Sequence, residues 1–179
     1  MSAVAIVLLI IALVLLITSG VFSILAAIAI KKVSVPRPDT CHSSSSLNRA
    51  HSYLTGASIA SWIGIALIIV LIILYLVFGS ESAAFTASYA SVGLLALTLL
   101  IMAIVGVLTA LASTRIECLI EGNITDEEAH KAYKDSNIAA SVSIIGFILL
   151  LFVLIFSMYT SRGTTSTEMG VLSKVAKLE

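Results

Sequence analysis

Residues 53–80 read YLTGASIASWIGIALIIVLIILYLVFGS, a run without one Asp, Glu, Lys or Arg. A helix needs about 20 mostly apolar residues to cross a hydrocarbon core roughly 30 Å thick, so this run is long enough to span a bilayer. A membrane strand would need fewer residues but would alternate apolar and polar positions, and this run does not. An open sheet leaves backbone polar groups unsatisfied in lipid. A helix remains.

Three further stretches have the same character: Met1–Ile30, Ser82–Thr114 and Ser136–Ser161. All the charged residues fall between or after them, in Lys31–Arg49, at Glu81, in Arg115–Asp135 and from Arg162 onward. Hydrophobic residues make up 59% of the chain and charged ones 11%, whereas soluble domains carry about a quarter charged. The mean hydropathy is +1.13. The sequence predicts an all-α integral membrane four-helix bundle in one domain, residues 1–162. Its helices are expected over 3–31, 47–79, 83–114 and 126–161, followed by a polar tail over 163–179. Ala27-Ile28-Ala29 has the small residues of a signal-peptide cleavage site. The segment before it lacks Lys and Arg, however, and its apolar run is about twice an ordinary signal core, so a first span is the better reading.

The chain contains an internal repeat. A shift of 82 residues lays Arg49-Ala50-His51 on Lys131-Ala132-Tyr133, and Ala57, Ser61 and Gly64 on Ala139, Ser143 and Gly146. A shift of 86 lays Gly20-Val21-Phe22-Ser23 on Gly106-Val107-Leu108-Thr109, and Leu25-Ala26-Ala27 on Leu111-Ala112-Ser113. Odd helices match odd, and even match even. The expected architecture is therefore two tandem hairpins entering the membrane from the same side, a parallel repeat rather than the inverted repeat of many transporters.

The matched small residues predict how the helices pack. Gly20, Ser23 and Ala27 share one helix face, as do Gly106, Thr109 and Ser113; so do Ala57, Ser61 and Gly64, and Ala139, Ser143 and Gly146. Lipid supplies no hydrophobic drive between helices, so close approach at small residues does the packing. Gly56, Ala60 and Gly64 form a second small-residue row on the second helix. Thr125 and Glu128 fit a capping box for the fourth helix, and Ser43–Ser46 are expected to cap the second. Pro36 and Pro38 hold the preceding segment extended, and Gly79–Ser82 read as a tight turn. Trp62, Tyr75 and Tyr89 are expected as interface anchors or packing residues.

Orientation has arguments on both sides, and the expected one has both long loops in the cytosol and both termini outside. Lys31, Lys32, Arg37, Arg49, Arg115, Lys131 and Lys134 lie on the two long loops, and the positive-inside rule then puts those loops in the cytosol. Asn123-Ile124-Thr125 is a glycosylation sequon, and Cys41 and Cys118 are placed to join the repeats by a disulfide. Both would need the opposite orientation.

No Asp, Glu, Lys, Arg or His lies within the charge-free spans, where ion-coupled transporters and proton pumps place ionisable groups. Intramembrane acid–base chemistry needs such groups too, and a hydroxyl without a neighbouring base is a poor nucleophile. The sequence therefore predicts neither an enzyme nor a cofactor. His42, His51 and His130 share the loop face with the two cysteines, but their spacing fits no compact metal-ligand pattern. The Cys-Cys-Gly motif of tetraspanins and the claudin loop signature are missing. Small multidrug transporters resemble the chain in having four spans, yet depend on a membrane glutamate that it lacks.

Residues 31–52 carry four basic groups against Asp39, and residues 114–135 carry three against six acids. Arg37 and Arg49 are thus candidates to meet Glu127 and Glu128, or to contact a partner. The overall charge is zero, which points away from nucleic acid. The function expected is structural: a membrane-complex subunit, or a component of a viral internal membrane. Its partners would be the bilayer and other protein subunits, reached through 31–52, 114–135 and the tail. The alternative is a small channel or carrier lined by Ser, Thr and Gly.

Overall fold

The computed structural model describes residues 3–33, 43–78, 84–121 and 127–175, with side chains for 6–33, 47–74, 76, 92–118, 120 and 127–156. Four helices follow in order: α1 (Ala3–Lys32), α2 (Ser43–Phe78), α3 (Ala84–Glu121) and α4 (Glu127–Val175). Each contains a segment long and apolar enough to cross a membrane: Ile6–Lys32, Leu47–Leu74, Val92–Cys118 and Glu127–Phe156. The protein is an all-α, multi-pass membrane bundle.

The helices outrun the charge-free spans. α2 begins at Ser43, so Ser43–Ser46 form its first turn instead of preceding it. Serine suits that turn because its hydroxyl can serve amides that lack an intrahelical partner. α3 continues past Thr114 to Glu121 because its inward stripe, Ala112–Ile116–Ile120, runs on beyond the first charge. α4 passes through Arg162 to Val175, so 163–175 prolong the helix. At 1.5 Å per residue α4 is about 74 Å long, far more than a hydrocarbon core needs. A charge boundary marks where lipid ends, and the helix continues into water. The capping Thr125, the prolines Pro36 and Pro38, and the turn Gly79–Ser82 lie outside the described residues.

The helices form a closed ring in which each packs mainly on two neighbours: α1 on α2 and α4, and α3 on α2 and α4. Two apolar clusters fill the interior. One, toward the chain termini, centres on Leu9, Leu16, Ile68, Leu71, Leu95, Met102 and Leu150. The other, toward the long loops, is built on small residues, with Ala26, Ala50, Ala112 and Ala132 around Ile30, Leu54 and Ile116. Between them lies a belt of buried hydroxyls: Ser19, Ser23, Ser61, Thr109, Ser136 and Ser143.

Between 28% and 33% of the most apolar stretch of each helix is buried, so most of the helix surface faces lipid and is apolar whether or not it packs. Hydrophobicity alone therefore does not reveal the inward face. Trp62 illustrates this. It is 54% exposed and lies eleven residues beyond His51, about 16 Å farther along the helix, so its ring is not part of the core.

Candidate functional site

The repeat is visible residue by residue in the packing. Burial matches across the shift of 86 for Leu9 and Leu95, Leu16 and Met102, Ser23 and Thr109, Ala26 and Ala112, and Ile30 and Ile116. Across the shift of 82 it matches for Ala50 and Ala132, Ala57 and Ala139, Ser61 and Ser143, and Ile68 and Leu150. The glycine contacts repeat as well. A Cβ on Gly64 would meet Leu16 and Ile101, and one on Gly146 would meet Met102 and Leu15, the same positions in the other hairpin. A Cβ on Gly20 would lie 3.2 Å from that of Ser61, and one on Gly106 3.7 Å from that of Ser143.

Of the twelve small residues singled out, Gly20, Ser23, Ala27, Ala57, Ser61, Gly64, Thr109, Ser113, Ala139, Ser143 and Gly146 are buried, and Gly106 is half-buried. The second row on α2 faces α3, since a Cβ on Gly56 would lie 3.5 Å from Leu108.

Hydrogen bonding breaks the symmetry. Most buried hydroxyls donate to their own helix: Ser23 to the Ser19 carbonyl, Ser61 to that of Ala57, and Thr109 to that of Val105. α4 bonds to both of its neighbours. Ser143 donates to the Ala139 carbonyl at 2.7 Å, which leaves its oxygen free to accept from the Ser19 hydroxyl at 2.8 Å. Ser136 donates to the Thr109 carbonyl at 3.0 Å, and Ser113 to Asn137 Oδ1 at 2.5 Å. The position related to Ser19 is Val105, and the one related to Ser136 is Leu54. Among the described residues, α2 therefore packs on its neighbours without the bonds that α4 makes.

Asp135 is the residue that sequence reasoning missed. Placed among the loop charges by the sequence, it is 8% exposed, and its Oδ2 is buried without a hydrogen-bond partner among the described residues. The signal was the inward stripe Ala132–Ser136–Ala139, which it adjoins on α4.

The loop end carries the charge. Lys32 meets Glu128 at 3.9 Å, with both side chains solvent-accessible. The expected attraction between the loops is thus made from the end of α1, while Arg49 and Glu127 are exposed. An exposed pair of this kind contributes about 0–1 kcal/mol. Cys118 is disulfide-bonded. Cys41, Arg37, His42 and Asn123 lie outside the described residues. Among the described residues no three His, Cys, Asp or Glu side chains converge on a metal-sized site.

Two shallow grooves flank this end. One, about 180 Å³, runs between α1 and α2 past Lys31, His51, Ile28, Thr55, Ile24 and Ser58. The other, about 410 Å³, lies along α4 beside Tyr133, Lys134 and Asn137. Comparison with protein-family models, curated proteins and solved structures finds no match to the chain.

Proposed function

We propose that this bundle is a non-enzymatic structural membrane protein that anchors or organises a larger assembly, as a subunit of a membrane complex or a component of a viral internal membrane. The observation that carries this reading is the filled interior. Leu9, Leu16, Ile68, Leu71, Leu95, Met102 and Leu150 are all fully buried in one cluster, so the axis of a single bundle is blocked by side chains toward the termini. Specific chemistry is concentrated at the loop end, where Arg49, Glu127 and the Lys32–Glu128 pair are accessible to a protein partner. The disulfide at Cys118 supports an oxidising compartment on that side, opposite to the side favoured by counting Lys and Arg.

A small channel or carrier is the second reading. It draws support from the hydroxyl belt and from buried Asp135, whose Oδ2 has no partner among the described residues. Extraction in mild detergent followed by native mass spectrometry separates the two. An anchor brings a stoichiometric protein partner, lost at high salt and on neutralising Arg37, Arg49, Glu127 and Glu128 together, because exposed charges are screened beyond about 10 Å at 0.1 M salt. A homo-oligomer free of partners in every extract would count against the anchor.

A further inference from the structure

We infer that the groove between α1 and α2 at the loop end is a binding site for the headgroup of an anionic phospholipid. Its walls are graded along the membrane normal. Lys31 is the first charged residue after the charge-free run of α1, and His51 is the last basic side chain before the charge-free run of α2. One and two helical turns deeper come Ile28 and Ile24 on α1, facing Thr55 and Ser58 on α2. The order of chemistry is that of a phospholipid, with cation and imidazole at headgroup level and aliphatic side chains along the acyl chain. The groove's volume of about 180 Å³ suits a headgroup and the start of a chain, not a whole lipid.

Charge selects the lipid class. Lys31 is exposed and forms no ion pair among the described residues, whereas neighbouring Lys32 is taken by Glu128. Arg49 is exposed on the same end of the hairpin, so a choline group beside the phosphate would be repelled and a headgroup of net negative charge favoured. The repeat supplies an internal comparison: the positions related to Lys31 and His51 are Glu117 and Tyr133. The second hairpin has the same helix pairing with an acid in place of the cation. At these two positions the second hairpin offers no cation to an anionic headgroup.

The test uses full-length protein in non-ionic detergent, offered equal amounts of dioleoyl phosphatidylglycerol and dioleoyl phosphatidylcholine, with retained lipid counted by native mass spectrometry. The wild type should retain phosphatidylglycerol about fivefold over phosphatidylcholine, the effect expected of one lysine at an anionic headgroup. Lys31→Gln with His51→Gln should abolish the preference while leaving the thermal transition in place. The matching control, His130→Gln with Lys131→Gln, removes the same residue types from exposed positions on α4 and should preserve it. Millimolar inorganic phosphate should not displace the lipid. Equal retention of both lipids by the wild type, or equal loss in both double variants, would overturn the site. So would displacement by phosphate, which would make it a site for the free anion.

Discussion

Ser19 on α1 and Ser143 on α4 join their hydroxyls at 2.8 Å in the middle of the bundle, and the repeat places Val105 and Ser61 where the matching bond would be. The two hairpins share a packing plan, but α1 and α4 are tied by a bond that α2 and α3 lack. Interhelical hydrogen bonds in membranes contribute about 0.6 kcal/mol on average and up to about 1.7 kcal/mol. Ser19→Ala should lower the unfolding free energy in detergent by an amount in that range, and Ser143→Ala by less, because Ser19 keeps the Ala139 carbonyl at 3.3 Å as an acceptor on α4. The double variant should lose little more than Ser19→Ala alone. Ser61→Ala, which removes a bond only within α2, should cost a few tenths of a kcal/mol. Additive losses at Ser19 and Ser143 would mean that the hydroxyls do not depend on each other.

The glycines should differ in tolerance although the repeat relates them. At Gly20 a methyl would sit 3.2 Å from Ser61 Cβ, an atom fixed to the backbone of α2, so α2 must give by a few tenths of an ångström. At Gly106 the corresponding distance is 3.7 Å, an ordinary contact, and at Gly93 nothing lies within 4 Å. Alanine is intrinsically better in a helix than glycine by about 1 kcal/mol. Thermal denaturation should therefore rank Gly93→Ala and Gly106→Ala at or above wild type and Gly20→Ala below both. Gly64→Leu should disrupt the fold, since even a Cβ there approaches Leu16 to 3.1 Å and Ile101 to 3.3 Å. Ile63→Ala on the lipid face, 52% exposed, should cost far less.

Asp135 should be dispensable for folding. A buried carboxylate oxygen without a hydrogen bond is a cost to the folded state. Asp135→Asn should leave the thermal transition unchanged or raise stability by about 1 kcal/mol. A loss of that size would mean that the carboxylate holds a group in the native protein, which would favour the carrier reading.

The disulfide gives a redox prediction about topology. Protein extracted from cells under alkylating conditions without reductant should show no free thiol at Cys118, and reductant should expose it. With the loop end in an oxidising compartment, Asn123 should also accept a glycan when the protein is made in a eukaryotic secretory membrane. Ready alkylation of Cys118 in freshly lysed cells would place that end in the cytosol.

The architecture was legible because charge segregation is nearly absolute: four runs without charge, each longer than a bilayer needs. The packing faces carry a narrower signal. In a helix surrounded by lipid, leucine and isoleucine occur on every side, and only small residues mark where two backbones approach. Helix ends were less legible, because Arg115 and Glu117 stop the span but suit an exposed helical face in water, and α3 runs on to Glu121. Asp135 was misplaced for a related reason. Its neighbours in sequence, Lys131 and Lys134, are exposed, and only the helical stripe turns it inward. Lys32 as the partner of Glu128 depends on how the hairpins dock, which no local pattern encodes.

Ion flux through reconstituted bundles tests the structural reading most directly. Purified wild-type protein should be placed in liposomes and monitored for monovalent-ion flux across a gradient, alongside a variant with Arg37, Arg49, Glu127 and Glu128 neutralised. An interior closed by Leu9, Leu16, Ile68, Leu71, Leu95, Met102 and Leu150 predicts flux no greater than that of empty liposomes for both proteins. Flux through the wild type whose ion selectivity shifts in the variant, as charge at a pore mouth would cause, would contradict the account.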